Sequence, residues 1–311
     1  MSVRKSESGQ AIVLMVISLA VLTGMAALVL DVGVWMRTDR RLQATADAAA
    51  LAGAQQLPDS PGNARAMALD YANRNGGDVQ AGGGITVSST FNPNDTIQVR
   101  AEKNQPGIFS RILGVDSADI HASAKARVDT PYAVQYVAPM VVSCDHPLIK
   151  KCNGSKNDPT FNVSTSMDFD PMGAPGAFGM LNLSGGNGTP GTSEESEWIL
   201  HGFDRKLDVP KNYRSDPGAK FSSQQLQDAL DSRMGTDPVL LFPVFETLRG
   251  TGQNAEYLII GWIGFHLTDY QVHGNGATLT GYFTKYLAHG ILSSSGSGSP
   301  NFGVTSIQLI E

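Results

Sequence analysis

The chain has 311 residues, enough for one large or two ordinary domains with a sizeable core. Hydrophobic residues make up 41% and charged residues 17%, the latter below the roughly 25% usual for soluble domains, and 34 glycines with 16 prolines point to many turns. Twenty-nine acidic against 23 basic residues give a net charge of -6, and with no long Lys/Arg run the chain has no general electrostatic reason to bind nucleic acid.

Charge is unevenly placed. Positions 1–57 hold five basic side chains (Arg4, Lys5, Arg37, Arg40, Arg41) and four acidic ones (Glu7, Asp31, Asp39, Asp47), which leaves 18 basic against 25 acidic for the remainder. Within this stretch, residues 11–30 read AIVLMVISLAVLTGMAALVL, 20 positions without a charge. That length matches a helix crossing the roughly 30 Å hydrocarbon core of a bilayer. The run is apolar on every face, unlike a soluble core helix. It is also longer than the apolar core of a signal peptide, and helix-forming sequence follows it directly, so an uncleaved anchor is expected rather than a removed leader. Basic residues flank both ends, and the positive-inside rule does not decide the orientation. The Ser/Thr/Asn/Gly-rich remainder favours a short cytoplasmic N-terminus with the bulk of the chain exported.

Beyond the anchor, DVGVWMRTDRRLQATADAAALAGAQQL has no proline until Pro58. One helix over residues 11–57 would be about 70 Å long, with about half of it standing beyond the membrane. Leu42, Thr45, Ala46, Ala49, Ala50 and Gly53 recur at three- and four-residue spacing. A stripe of small side chains permits close backbone approach, either by other helices in an assembly or by the chain's own domain.

These residues carry a family resemblance. Gly9-Gln10 precedes the apolar run, Asp31-Val32-Gly33 closes it, and a basic cluster at Arg37 to Arg41 leads into the Leu42 to Ala52 block. In this order and spacing the segment resembles the N-terminal region of TadE/TadG-like proteins of Flp (tight adherence) pilus assembly. Tyr71-Ala72-Asn73-Arg74-Asn75-Gly76, Phe109-Ser110-Arg111-Ile112-Leu113-Gly114 and the Ala-rich run 118–128 extend the likeness to about position 130, with further similarity at 176–183 and 198–202. Two departures bear on what the resemblance implies. Prepilins carry Glu five positions after a cleavage glycine, where Leu14 stands here, and the Asp-x-Ser-x-Ser metal motif of some relatives is absent.

The expected architecture is α+β, in three parts: the anchor and long helix (1–57), a helix-plus-hairpin domain (58–129) and a β-rich exported domain (130–311). In the second part a helix is expected over 64–74, with Ala64, Met67, Ala68 and Tyr71 on one face and Asn75-Gly76-Gly77 ending it. Strands at 85–90 and 96–101 flank a turn at Asn92-Pro93-Asn94-Asp95, then a short helix at 108–114 precedes an alternating strand over 118–128. In the third part an apolar strand is expected at 133–142, followed by long loops over 153–193 around one strand at 178–183. The helix 224–234 stands as the only clear one there, and strands follow at 239–242, 257–267, 277–287 and 304–310. YLIIGWIGFHL is apolar on both faces, which fits the central strand of a sheet buried on both sides. SSSGSGSP at 293–300 reads as a flexible loop.

The search for chemistry yields little. The six histidines (His121, His146, His201, His266, His273, His289) form no helical i, i+4 ligand pair. Asp168-x-Asp170 with Gly173 falls short of a calcium loop and fits a turn. Glu194, Glu195 and Glu197 fit a solvated acidic run. GGNG at 185–188 lacks the strand and helix of a phosphate loop, and no nucleophile elbow, phosphate loop or zinc-protease motif occurs. Cys144 and Cys152, in an exported loop, are candidates for a disulfide worth roughly 2 to 3 kcal/mol. The expectation is therefore a non-enzymatic, cofactor-free protein of the cytoplasmic membrane. Its expected partners are the lipid bilayer, pilus-assembly or secretion-system proteins, and further copies of itself through the N-terminal helix. The expected interface residues are Asp31, Arg41, Ala46, Ala49, Ala50 and Gly53, with Leu at positions 49 and 50 disturbing assembly while leaving folding intact. The alternative is a surface adhesin or ligand-binding module on the same anchor.

Overall fold

The computed structural model describes residues 8–80, 82–155, 157–185, 188–218, 220–292 and 300–310. Positions 293–299 of the loop expected at 293–300 and the centre of the GGNG stretch lie outside them. The chain is α+β and divides into two compact units, Met1–Arg127 with Leu309–Glu311, and Val128–Gln308. The division comes two residues before the expected boundary at 129. The anchor helix and the helix-plus-hairpin segment are one unit rather than two, because the outer half of the helix supplies that unit's core.

In the first unit, α1 (Ser8–Ala54) is a single 47-residue helix. Its stretch from residue 11 to 30 is uncovered, with none of the apolar window buried, and it is long and apolar enough to cross a membrane. The one hydroxyl whose bond is seen in that stretch, on Thr23, donates back to the Leu19 carbonyl at 2.7 Å, as a polar group in hydrocarbon must. From Asp31 on, one face becomes buried, and the helix ends before Pro58. α2 (Pro61–Arg74) starts with proline in its first turn, where no N–H is needed. It buries Ala64, Ala68 and Ala72. Tyr71 is exposed instead of sharing that face, which corrects the expected one. The antiparallel sheet β1 (Ile85–Ser88), β2 (Thr96–Pro106) and β3 (Ser117–Asp129) pairs Ile97 with Ala126, Val99 with Ala124 and Ala101 with Ala122. These six residues are buried, and Leu42 of α1 clusters with Ala101 and Ala122. A 3-10 turn at Ser110–Leu113 stands where a short helix was expected.

The second unit is built on a sheet ordered β6 (Ser164–Asp168), β12 (Gly276–Thr284), β11 (Glu256–His273), β10 (Val239–Arg249), β5 (Met140–Ser143), β7 (Phe178–Met180), with β9 (Lys211–Arg214) also pairing with β11. A smaller sheet joins β14 (Gly290–Ile291), β4 (Ala133–Val134) and β8 (Leu207–Asp208), and β13 (Tyr286–Leu287) lies parallel to β15 (Val304–Leu309). Helices α3 (Thr192–His201) and α4 (Gln224–Thr236) complete it.

The apolar stretch 257–267 does occupy an interior strand with a core on each side. One core holds Phe178, Phe242, Phe265 and Phe283 with Leu226 and Leu230 of α4, and the other holds Tyr257, Ile259, Trp262, Leu241 and Phe245. Opposite β10 the register jumps from Gly261 to Ile259, so Ile260 is an extra residue. The bulge resets the two-residue alternation. Tyr257, Ile259 and Trp262 therefore share a face, while Ile260, Ile263, Phe265 and Leu267 take the other.

Three expectations are corrected here. The stretch 133–142 is not one strand, because Tyr136 has φ 62 and Pro139 follows, so β4 and β5 join different sheets. The loops expected over 153–193 contain β6, a polar edge strand whose sequence shows no apolar alternation. Residues 192–201 form a helix that the acidic run disguised.

Candidate functional site

At the end of the apolar stretch, Asp31 is only 2% exposed. Its carboxylate accepts the backbone N–H groups of Ile108 (3.1 Å), Phe109 (2.8 Å) and Ser110 (2.6 Å), capping the 3-10 turn. A carboxylate aimed at the unpaired amides of a turn's first residues is a charge-assisted cap. Further along the helix, Arg41 donates to Asp78 at 2.8 Å, and Lys103 reaches the same carboxylate at 3.0 Å. Burial works to raise the Asp78 carboxyl, but Lys103 and Arg41 outweigh it and hold it below the usual carboxylate range. Thr45 adds a hydroxyl bond to the Asn75 carbonyl at 2.8 Å. Three side chains of α1 thus fix segments that lie far along the chain.

The small-residue stripe is occupied by the chain itself. Ala46, Ala49 and Ala50 are fully buried. A Cβ on Gly53 would stand 2.6 Å from Ile97 Cδ1 and 2.8 Å from the Ala64 carbonyl oxygen. Asp31 and Arg41 spend their charges on the same unit. The expected partner interface at Asp31, Arg41, Ala46, Ala49, Ala50 and Gly53 is therefore corrected to an internal one. Only Arg41 among the six keeps half of its side chain, 51%, in solvent.

In the second unit Cys144 and Cys152 form a disulfide. Asp170 accepts the N–H groups of Met172 and Ala174 within its own turn, and Asp168 accepts the Thr278 hydroxyl. His121 and His201 face Glu102 and Glu197 at 3.8 and 3.7 Å on exposed surfaces. His266 stacks on Tyr282 with ring centroids 4.5 Å apart. His146 is buried edge-on to Phe283 and accepts the Leu148 N–H at Nδ1. A cleft of about 360 Å³ is lined by Tyr136, Trp198, His201, Arg233, Asp237 and His289, among others. Its guanidinium is engaged structurally, since Arg233 donates to the Leu200 and Val239 carbonyls and lies 3.6 Å from Asp237.

Sequence reasoning missed one cluster altogether. Glu195, 1% exposed by side chain, lies in α3 with its Oε1 2.9 Å from Lys220 Nζ, which also meets Asp216 at 3.2 Å and the Pro190 carbonyl. Glu195 and Glu194 occupy the first turn of α3, where negative charge is favoured. Burial, then the neighbouring Asp216 carboxyl, push the Glu195 acid up to about 8 against the pull of Lys220. Burial lowers His146 to about 4.

Linkage gives each shift a sign. The folded unit holds a proton on Glu195 that the unfolded chain releases near 4.5, so this group's contribution is lost as pH rises to about 8. His146 acts oppositely, losing stability as pH falls from 6.5 to about 4. Between pH 6.5 and 8 the Glu195 slope stands without that opposition. The full chain in detergent is expected to show a lower urea midpoint at pH 8.5 than at pH 6.5, and Glu195→Gln to flatten that difference. An unchanged slope in the variant would refute the assignment.

These features define a protein with, among the described residues, one candidate membrane-spanning helix whose outer half is built into an α+β unit, followed by a β-rich second unit. Residues 9–56 match the family model described as putative Flp pilus-assembly TadE/G-like, so the likeness covers the N-terminal helix. No curated protein and no solved structure matches the chain.

Proposed function

We propose that this protein is a single-pass, membrane-anchored envelope component of Flp-type pilus assembly, acting structurally as a scaffold for assembly or secretion proteins rather than as a catalyst. The observation that carries the reading is the continuity of α1, apolar and uncovered at one end and core-forming at the other. The TadE/G-like match of residues 9–56 supports the pilus-related role. The Cys144–Cys152 disulfide supports a second unit residing in an oxidising, extracytoplasmic compartment, hence a cytoplasmic N-terminus in the cytoplasmic membrane. Because the stripe at 46–53 is filled, contacts with partners or further copies would use the uncovered membrane helix or the exposed faces of either unit.

In-cell crosslinking of the full-length protein, followed by mass spectrometry, tests this. Crosslinks to pilus-assembly or secretion components are the expected result. Recovery of no such partner, with the solubilised protein instead binding glycan or matrix, would overturn the scaffold reading in favour of an adhesin. The aromatic- and histidine-lined cleft of the second unit is the feature that favours that alternative.

A further inference from the structure

A bilayer is about 30 Å thick across its hydrocarbon and about 40 to 45 Å with its headgroups. A helix leaving hydrocarbon at Leu30 therefore carries its next few residues, at about 1.5 Å each, through the headgroup layer. Asp31 lies in that layer. So does the loop bonded to it, since the amides of residues 108–110 stand 2.6 to 3.1 Å from its carboxylate.

The side chains on this loop are the wrong ones for water. Ile112 is 85% exposed and Ile108 67%, and Phe109 and Val115 are also exposed. Arg111 stands exposed between them. Single exposed apolar residues are ordinary, but four within eight positions, fixed beside the end of a membrane helix, form an amphipathic interfacial element. Asp31 makes this arrangement tolerable, because a carboxylate at the membrane surface is costly unless its oxygens are bonded.

We propose that residues 107–115 are a second membrane contact, seating Ile108 and Ile112 at the boundary of headgroups and acyl chains with Arg111 at the phosphate level. Lipid, rather than a protein partner, is the occupant because the loop is continuous with the surface the anchor already presents to lipid. The two contacts together set the tilt and rotation of the first unit on the membrane, which a single helix leaves free. The inference rests on residues 11–30 spanning the bilayer.

The test uses the full chain in phosphatidylethanolamine/phosphatidylglycerol vesicles, carrying a nitroxide at one introduced cysteine, with Cys144 and Cys152 paired and unlabelled. Three sites are compared. Val21→Cys reports the anchor and Ile112→Cys the loop. Ser88→Cys lies beside Val87, whose strand partner Ile97 backs onto Gly53 at the far end of α1. Labels at 21 and 112 are expected to collide with oxygen several-fold more readily than with a water-soluble nickel chelate, and the label at 88 the reverse. A label at 112 as open to the chelate as that at 88, with 21 in lipid, overturns the loop contact and leaves the anchor standing. Shielding at 112 from both reagents also overturns it, in favour of protein burial. A label at 21 outside lipid removes the anchor and the inference together.

Discussion

Lys220→Met is expected to lower the stability of the second unit by about 3 to 5 kcal/mol. The ammonium is the counter-charge of two carboxyls, Glu195 and Asp216, each with 1% of its side chain exposed, and it also satisfies the Pro190 carbonyl. Methionine fills a similar volume but leaves two buried acids facing each other and a carbonyl without that donor. The cost is far larger than the worth of the ion pair itself, because what remains is buried charge rather than a lost contact. Urea unfolding of the full chain in detergent, followed by near-ultraviolet circular dichroism, measures it. The loss should shrink as pH falls below about 8 and Glu195 holds its proton, and it should be largely repaired by adding Glu195→Gln. A variant with an unshifted midpoint at pH 8 would show that Lys220 is not what holds this cluster.

Gly53→Leu is expected to disrupt the first unit. The new Cβ would lie 2.8 Å from the backbone carbonyl of Ala64, which cannot move without shifting α2, and 2.6 Å from Ile97 Cδ1. Overpacking of this kind costs about 1 to 3 kcal/mol, and more when the obstacle is backbone. Ala49→Leu and Ala50→Leu should act in the same direction, since both alanines are fully buried. Hydrogen exchange of the full-length protein reads this directly, with amides of α2 and β2 exchanging faster in the variants while those of β10 and β11 do not. Normal protection of α2 in Gly53→Leu would contradict the packing described. The practical consequence is that an assembly defect in any of these variants reports lost folding, not a lost partner contact.

What the sequence made legible was whatever depends on near neighbours in the chain. The uncharged run at 11–30 announces a membrane helix, the proline-free Ala-rich run extends it, and the double-sided apolar stretch at 257–267 announces an interior strand. The candidate disulfide was legible for the same reason, two cysteines eight positions apart. The Asp31 cap was not, because its partners lie 77 to 79 positions away. Glu195 hid inside three glutamates that look solvated, and only the tertiary fold brings Lys220 to it. The small-residue stripe showed that something packs closely on α1, but its periodicity is the same whether the neighbour is another chain or α2. The TadE/G-like resemblance located the helix without saying which of its faces is free.

The extra residue at Ile260 makes β11 behave as two strands in series with opposite phase. Volume matters less there than count. Ile260→Val would trim one methylene from a core, whereas inserting one further residue beside it would throw the two segments out of phase and turn Trp262 and Phe265 each toward the side the other now fills. Alignments of related chains across this stretch should therefore conserve its length more strictly than its side chains.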